Sequence, residues 1–359
     1  MQISKEKLKK YYQDTMYGQW RSGEKVNYEI LDDDRVKISV DKDGKSVSFT
    51  VKMHIPSQDA CKQFEGKQPY IISMHPIVPI DYALAKGYAV IVLDTYQIAS
   101  DDNKHNGCFY ELYPYGTRPN EQTGVLMAWA WGASKVIDAI DAGLGQEFLE
   151  NIMAESKAQS VENAIIVTGV SRWGKATAVC GAFDERVTMT VPVCSGAGGL
   201  ALFGFLSEGK TYNLESIGGP GAYTYGQNEP LSCLQSEAEQ GWFNDKFLEY
   251  KSPEGIPIDQ EMLPVLAADE RRFYFIIASY MGEDWVNAPS MWECYKKADA
   301  IYAQMGLKEH LAVHFHKEGH ALIEEDMKLL IAYFNKMHYG LDEELDMSVL
   351  KTTAFANQF

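Results

Sequence analysis

The sequence predicts an α/β fold in which a mostly parallel, doubly wound sheet follows a few antiparallel strands. Short runs that alternate apolar and polar residues come first, and near-continuous apolar runs follow, with helical patterns between them. Alternation is typical of strands with one wet face, whereas continuous apolar runs are typical of strands that helices cover on both faces. A composition of 46% hydrophobic and 23% charged residues excludes a disordered or fibrous chain.

The predicted elements begin with an N-terminal helical extension over residues 1–20, whose helix covers residues 5–20. Antiparallel strands are predicted at residues 26–31, 36–40 and 47–55. Core strands are predicted at residues 70–74, 89–93, 164–168, 187–193, 273–279 and 311–315, and helices at 124–142, 174–183, 288–305 and 324–336. Residues from about 200 to 266 interrupt this alternation, so we interpret them as a cap-like insertion near the active site. No linker or repeat divides the chain, which favours a single domain over residues 1–359.

Charge and cysteine usage exclude several classes of function. The chain has 33 Lys and Arg against 50 Asp and Glu, a net charge of -17 at pH 7, which disfavours nucleic acids and anionic membrane surfaces as partners. No apolar run approaches the roughly 20 residues of a membrane span, and no signal peptide is visible. Six scattered cysteines without a Cys-x-x-Cys pair favour free thiols and a cytoplasmic location. A mature or excised domain of a secreted protein would look the same, and nothing in the sequence predicts the oligomeric state.

Ser171 is the candidate nucleophile. It follows a buried run and a Gly169-Val170 pair, and a helical pattern comes directly after it. A serine in such a sharp strand-to-helix turn has its hydroxyl exposed above the sheet, near the positive end of the helix. The alternative is an ordinary glycine-containing turn, because Trp173 takes the place of the usual second glycine and Gly174 comes one residue later.

The general base and the acid are expected after later strands. Gly319 and His320 lie in a loop past the last core run, and the order of an early serine and a late histidine is that of α/β hydrolases. Glu283 and Asp284 follow residues 273–279, where a hydrolase acid is expected. A plain surface histidine and ordinary loop solvation are the alternatives.

Two further histidines allow a metal site as an alternative. His314 and His316 share one face of the last predicted strand. No motif elsewhere supplies the remaining ligands, so the sequence implies no metal and no organic cofactor.

These motifs resemble the glucuronoyl esterases of carbohydrate esterase family 15, which are α/β hydrolases. That family carries Gly-Cys-Ser-Arg-x-Gly-Lys at the elbow, and residues 169–175 here differ from it only at Val170. The displaced second glycine belongs to the family's own pattern. The resemblance covers about residues 70–339, with further matches at residues 124–138, 182–186 and 195–199, at Trp242-Phe243 with Phe247, and at Gly319-His320-Ala321.

The resemblance implies roles for individual residues. Ser171 would attack the ester carbonyl, His320 would act as the base, and Arg172 would help to form the oxyanion hole. Four side chains would contact the sugar: Lys175, Glu239, Trp285 and, more weakly, Gln235. For these residues the alternatives are a solvated lysine in the first turn of a helix, a solvated glutamate and simple aromatic packing.

The position of the acid departs from the family pattern. The usual acid is the glutamate of Glu-Ser-Gly-Ala-Gly-Gly, and this chain has Cys194 there. Either the acid has moved to Glu283 or Asp284, as some bacterial relatives imply, or the enzyme is impaired. Neighbouring residues of an extended chain point to opposite sides, which favours Glu283 and leaves Asp284 as the alternative.

The predicted function is a serine esterase that cleaves esters of glucuronic or 4-O-methylglucuronic acid through a uronoyl-enzyme intermediate. Such esters occur in linkages of xylan to lignin and as small methyl esters. Two alternatives stay open: an acetyl xylan esterase or other carbohydrate esterase, and a catalytically impaired protein that binds uronosyl ligands.

Overall fold

The main sheet carries the fold and ends at the functional site. The computed structural model describes residues 4–32, 34–64, 67–145, 147, 163–351 and 355. Within these residues the main sheet has nine strands in the order β1-β2-β3-β5-β4-β6-β7-β10-β11. The strands are β1 Lys25–Ile30, β2 Arg35–Lys42, β3 Lys45–His54, β4 Gln68–Ser73, β5 Ala89–Leu93, β6 Asn163–Val170, β7 Val187–Val193, β8 Thr211–Tyr212, β9 Tyr223–Thr224, β10 Phe273–Ser279 and β11 Leu311–His316. The first three strands and β5 pair antiparallel, and β5 to β11 of the main sheet pair parallel, which confirms the predicted fold class.

Burial of the strands follows the two predicted sequence patterns. In β3, buried and exposed residues alternate over most of its length, so one face packs on the core and the other meets solvent. In β4 and β10 every residue is buried. Helices must therefore cover both faces of the parallel part of the sheet.

The helices form two layers, one on each face. They are α1 Lys5–Tyr12, α2 Gln58–Cys61, α3 Ile80–Ala85, α4 Cys108–Leu112, α5 Val125–Ala139, α6 Arg172–Phe183, α7 Leu231–Leu234, α8 Met262–Ala267, α9 Ala288–Gln304 and α10 Glu324–Phe334. The step from β4 to β5 moves one way along the sheet, and the steps from β5 to β6 and β7 move the other way. Right-handed crossovers in opposite directions place helices on opposite faces. Accordingly α3 packs with α10, whereas α5 and α8 pack with α6.

The helix of the N-terminal extension is shorter than the sequence predicts. Helix α1 is capped by Ser4, and after it the chain widens into a π-helical turn over Gln13–Tyr17. Gly18 then takes a left-handed φ of 82°, which ends the helical path. The hydroxyl of Tyr17 donates to the Gly198 carbonyl over 2.9 Å, so the extension is fastened to the loop after β7.

The insertion has little regular structure. Residues 200–266 contain the two short strands β8 and β9, the short helices α7 and α8 and several 3₁₀ turns. Its residues 227–230, Cys233, Glu239 and Trp242 line the cavity described below. No helix within the described ranges is both long and apolar enough for a bilayer span. All six cysteines are free thiols.

Candidate active site

Ser171 lies on a strained turn at the end of β6. Its backbone has φ 63° and ψ -127°, a conformation that non-glycine residues rarely adopt, and helix α6 begins at the next residue. Its N–H donates to the Val193 carbonyl over 2.9 Å, which ties the turn to the end of β7. This geometry is that of the predicted nucleophile elbow.

The displaced glycine has a direct physical reason. A Cβ on Gly174 would lie 2.6 Å from the Val193 carbonyl oxygen, so only glycine lets α6 cross β7 this closely. Residue 173 instead points away from the sheet: the Trp173 indole donates to the Thr95 hydroxyl over 2.7 Å. The second glycine is therefore needed at 174 and not at 173.

His320 and Glu283 form a close pair. The Nδ1 of His320 lies 3.2 Å from Oε2 of Glu283, and both side chains are mostly buried. The two atoms are not aligned as a hydrogen bond. Catalytic hydrogen bonds are often poorly aligned in the free enzyme and tighten when substrate binds. The Trp285 ring packs against the His320 ring at a centroid distance of 5.3 Å.

Asp284 lies in a different environment from its neighbour. One carboxylate oxygen accepts from the Tyr223 hydroxyl over 2.7 Å, and the other accepts from the Gly226 N–H over 2.8 Å. Asp284 therefore fastens the insertion to the end of β10. The structure brings Glu283 to His320 and directs the carboxylate of Asp284 to the insertion, although residues 284–286 form a 3₁₀ turn and not the extended chain on which the prediction rested.

The surroundings of His320 favour its uncharged form. Burial, with the positive charges of Lys175, His75 and Arg172 nearby, lowers the pKa of His320 to about 4. Burial, reinforced by the charge of Asp284, raises the pKa of Glu283. At neutral pH the imidazole is therefore ready to accept a proton.

Arg172 is oriented by an acid that the sequence did not single out. Its Nη1 donates to Asp101 over 2.5 Å, and the other carboxylate oxygen of Asp101 accepts from the Trp242 indole over 2.7 Å. The guanidinium also lies 5.4 Å from the centre of the Trp242 ring, a cation–π distance. The guanidinium is thus held in place next to the elbow.

Lys175 is buried and paired. It is 3% exposed, and its ammonium donates to Glu229 over 2.8 Å and to the Ser195 carbonyl over 3.0 Å. It also lies 5.5 Å from the centre of the Trp242 ring. The alternative of a solvated lysine is therefore wrong, and Glu229 is a second acid that the sequence analysis missed.

A cavity of about 340 Å³ opens beside these groups. Its lining combines the elbow with residues of the insertion and of the loop after β10: Ser171, Arg172, Lys175, Cys194, Gly196, Gln227, Asn228, Glu229, Pro230, Cys233, Glu239, Trp242, Trp285 and Val286. In Glu239, Oε2 is buried with no hydrogen-bond partner among the described residues, and burial with the nearby charge of Glu229 raises the pKa of this carboxyl. Trp285 is 45% exposed, so it contributes an open aromatic face.

Gln235 lies outside this cavity, contrary to the prediction. Its amide nitrogen donates to the carbonyls of Phe247 at 3.0 Å and Tyr250 at 2.9 Å. The residue lines a neighbouring cleft on the other side of Glu229 and Pro230. The irregular backbone of the insertion gives the sequence no period from which the direction of this side chain could be predicted.

The metal alternative has no support in the described part of the chain. No group of three or more His, Cys, Asp and Glu residues there is arranged to hold a metal ion. His314 and His316 instead contact the carboxylate of Asp326, at 2.7 Å and 3.3 Å.

Comparisons with known proteins agree with this geometry. The family model described as "Glucuronyl esterase, fungi" matches residues 38–306. The chain belongs to the glucuronoyl esterase family. A carbohydrate esterase family 15 glucuronoyl esterase from Caldicellulosiruptor kristjansonii superposes with a TM-score of 0.82 at 33% identity, over 98% of this chain and 90% of that one. The glucuronoyl esterase catalytic domain from Hypocrea jecorina superposes with a TM-score of 0.72 at 26% identity, over 99% and 87%.

The curated relatives of this chain are longer proteins. A multidomain esterase from Ruminococcus flavefaciens is 43% identical over 96% of this chain and 44% of its own length. The 4-O-methyl-glucuronoyl methylesterase 1 of Phanerochaete chrysosporium is 28% identical over 90% of this chain and 61% of its own length. The chain thus spans about half the length of the curated relatives it matches.

Two acids of this family member escaped the sequence analysis for different reasons. Glu229 had a partial signal, because a lysine in the first turn of a buried helix needs a carboxylate partner, although nothing in the sequence selects which one. Asp101 had none, since it lies eight residues past the end of β5 in an irregular loop.

Proposed function

We propose that this chain hydrolyses esters of glucuronic or 4-O-methylglucuronic acid by serine catalysis. The observation that carries the proposal is the His320–Glu283 pair, whose imidazole packs on Trp285, a residue that lines one cavity with the strained elbow serine. The names of the relatives support the same substrate class. The relocated acid also argues against the impaired alternative, because a carboxylate still accompanies the histidine.

The reaction follows from the placement of these groups. Ser171 Oγ attacks the ester carbonyl carbon while Nε2 of His320 takes its proton, and Glu283 stabilises the resulting imidazolium. The tetrahedral oxyanion is stabilised by the Arg172 guanidinium. Collapse breaks the bond to the alcohol, which leaves with the proton from His320. Water then attacks the uronoyl-serine by the same steps and releases glucuronate.

Recognition of the sugar is assigned to the other side of the cavity. The Lys175 ammonium can donate to ring hydroxyls, and the free oxygen of Glu239 can accept from them. The exposed face of Trp285 can stack on the apolar face of a pyranose ring. An acetyl group needs none of these contacts, which is why a uronate ester is favoured over an acetyl ester.

The first prediction tests the nucleophile. Ser171→Ala should lower turnover of benzyl glucuronate by about 10⁶, because the covalent route is lost while the remaining site is intact. Turnover is measured beside that of acetylated xylan, and binding of the ester to the variant is measured by calorimetry.

The matched control is Ser232→Ala, which removes an exposed serine of the neighbouring cleft and should keep full activity. Undiminished turnover of benzyl glucuronate by Ser171→Ala would remove Ser171 from the mechanism. Efficient release of acetate from xylan with no turnover of benzyl glucuronate would replace the proposed substrate class.

A further inference from the structure

A fully buried carboxylate lies beneath the loop that carries His320. Asp326, in the first turn of α10, is 0% exposed. Its Oδ1 accepts from Nδ1 of His314 over 2.7 Å, and its Oδ2 accepts from the Ile323 N–H over 3.0 Å. Oδ2 also lies 3.3 Å from Nε2 of His316. A buried charge is costly unless such donors surround it, so this arrangement fixes both histidines relative to α10.

His316 connects that carboxylate to the catalytic loop. Its Nε2 lies 3.2 Å from the Ala321 carbonyl, and its Nδ1 lies 3.2 Å from the backbone nitrogen of Glu318. A carbonyl can only accept and an N–H can only donate, so Nε2 carries the proton and Nδ1 accepts. A single imidazole therefore holds the chain on both sides of Gly319 and His320.

The loop between these two anchor points is short and sharply bent. Gly319 has a left-handed φ of 85°, and the Ala321 N–H donates back to the Gly319 carbonyl over 3.0 Å. His320 lies at the apex of this bend. Contacts with Glu283 and Trp285 position the ring of His320. The direction of its Cα–Cβ bond is set by the backbone, and therefore by the anchors on either side.

We propose that Asp326, His314 and His316, here called the loop brace, position the backbone of His320 for proton transfer. The inference rests on the proposed function, because it assigns His320 as the base. The three residues contact one another and the backbone on either side of His320, so they are positioning residues. A misplacement of about 1 Å in a catalytic group can cost about 10²-fold in rate, which sets the size of the expected effect.

Two substitutions of His316 separate positioning from general stability. His316→Gln can place an amide N–H near the position of Nε2, and so keep the bond to Ala321. His316→Asn can only reproduce the acceptor at Nδ1 and loses the bond to Ala321. We expect kcat to fall about 10²-fold in His316→Asn and to stay within about threefold in His316→Gln, with KM unchanged in both.

The readout does not depend on the identity of the sugar. The rate at which a fluorophosphonate labels Ser171 reports the serine and its base, whether or not glucuronate esters are substrates. We expect the labelling rate to follow kcat, and the affinity for benzyl glucuronate in a Ser171→Ala background to be the same with and without His316→Asn. Failure of the wild type to hydrolyse glucuronate esters, with normal labelling, would refute the proposed function and leave the brace intact.

A second position keeps the inference testable if His316 variants do not fold. Asp326→Asn keeps the size of the side chain but replaces one of the two acceptor oxygens with an NH₂ group. One donor therefore loses its acceptor, and labelling should slow about 10-fold or more. Circular dichroism reports whether the variant is folded. Glu325→Gln is the control: it precedes Asp326 in α10, and its carboxylate is 60% exposed and lies 3.9 Å from Lys328, away from the brace. Equal labelling by wild type and both Asn variants, or losses that track melting temperature across all variants, would overturn the brace.

Discussion

The neighbouring residues Glu283 and Asp284 have different contacts. The carboxylate of Glu283 lies beside the base, whereas that of Asp284 holds a tyrosine hydroxyl and a backbone N–H of the insertion. In the proposed mechanism the first arrangement stabilises a charge that forms during the reaction, whereas the second holds a loop. Substitution of each by its amide should therefore affect different measured quantities.

Glu283→Gln should lower kcat by about 10³–10⁴ with little change in melting temperature, because an amide cannot stabilise the imidazolium. Asp284→Asn should lower the free energy of unfolding by about 1–3 kcal/mol and change kcat much less, because it weakens two hydrogen bonds to a charged acceptor. Steady-state kinetics and thermal melts on both variants test this. Near-full activity in both would favour a Ser-His dyad, and a larger kcat loss in Asp284→Asn would move the acid to that residue.

The depressed pKa of His320 gives a prediction for pH. The proposed mechanism requires the uncharged imidazole, so kcat/KM should fall only as pH drops toward the pKa of about 4, instead of near the 6.5 of an ordinary histidine. The raised pKa of Glu283 adds to the same acidic limb, since its ionised form is needed. A pH profile with benzyl glucuronate should be flat from about pH 7 to about pH 6; half-loss of kcat/KM at pH 6.5 would contradict the assignment of the charges around His320.

Substitution of Lys175 should affect both sugar recognition and stability, because Lys175 is paired with the buried Glu229. Lys175→Met should lower kcat/KM for glucuronate esters far more than for p-nitrophenyl acetate, because only the sugar needs the ammonium. It also leaves Glu229 buried without its counter-charge, at a cost of about 3–5 kcal/mol in unfolding free energy. The double variant Lys175→Met with Glu229→Gln should recover much of that stability without recovering sugar specificity. Equal losses on both esters in the double variant would show that Lys175 supports the nucleophile instead.

At the scale of elements, the elbow depends on how closely α6 crosses β7. Gly174→Ala should lower the free energy of unfolding by about 1–3 kcal/mol and reduce labelling of Ser171, because the added methyl meets a backbone carbonyl that cannot turn aside. Gly255→Ala is the control, since a Cβ there meets only the Tyr250 ring at 3.6 Å. A Gly174→Ala protein as stable as the wild type would refute this account of the displaced glycine.

The sequence could predict the elements that have a regular hydrophobic pattern. The runs at Val187–Val193 and Phe273–Ser279 are apolar over nearly their whole length, and the observed strands have those bounds. The fold class and the family are confirmed for the same reason, since both rest on strands and on the turns that end them. The insertion has no such hydrophobic pattern, and long-range contacts direct its side chains. The prediction for Gln235 was therefore wrong, and Glu229 was missed.

The whole molecule has a surface charge that concerns its proposed substrate. A net charge of -17 repels free glucuronate groups on a polymer, whereas a small neutral ester carries no charge to repel. Raising ionic strength from about 0.01 to 0.15 M should therefore increase kcat/KM several-fold on a partly esterified glucuronoxylan, because the Debye length shortens from about 30 to 8 Å. Methyl glucuronate is the matched control and should respond little. The same response to salt with both substrates would show that repulsion of the polymer is not the cause.

The ends of β7 and β10 lie side by side, and this bears on where an acid can be placed. Cys194, at the position of the family's usual acid, is bonded twice to β10: its N–H donates to the Ile277 carbonyl over 2.8 Å, and its sulfur accepts from the Ser279 N–H over 3.3 Å. Glu283 follows the end of that same strand. A single step across the sheet therefore separates the family's position for the acid from the one that the Glu283 carboxylate occupies here.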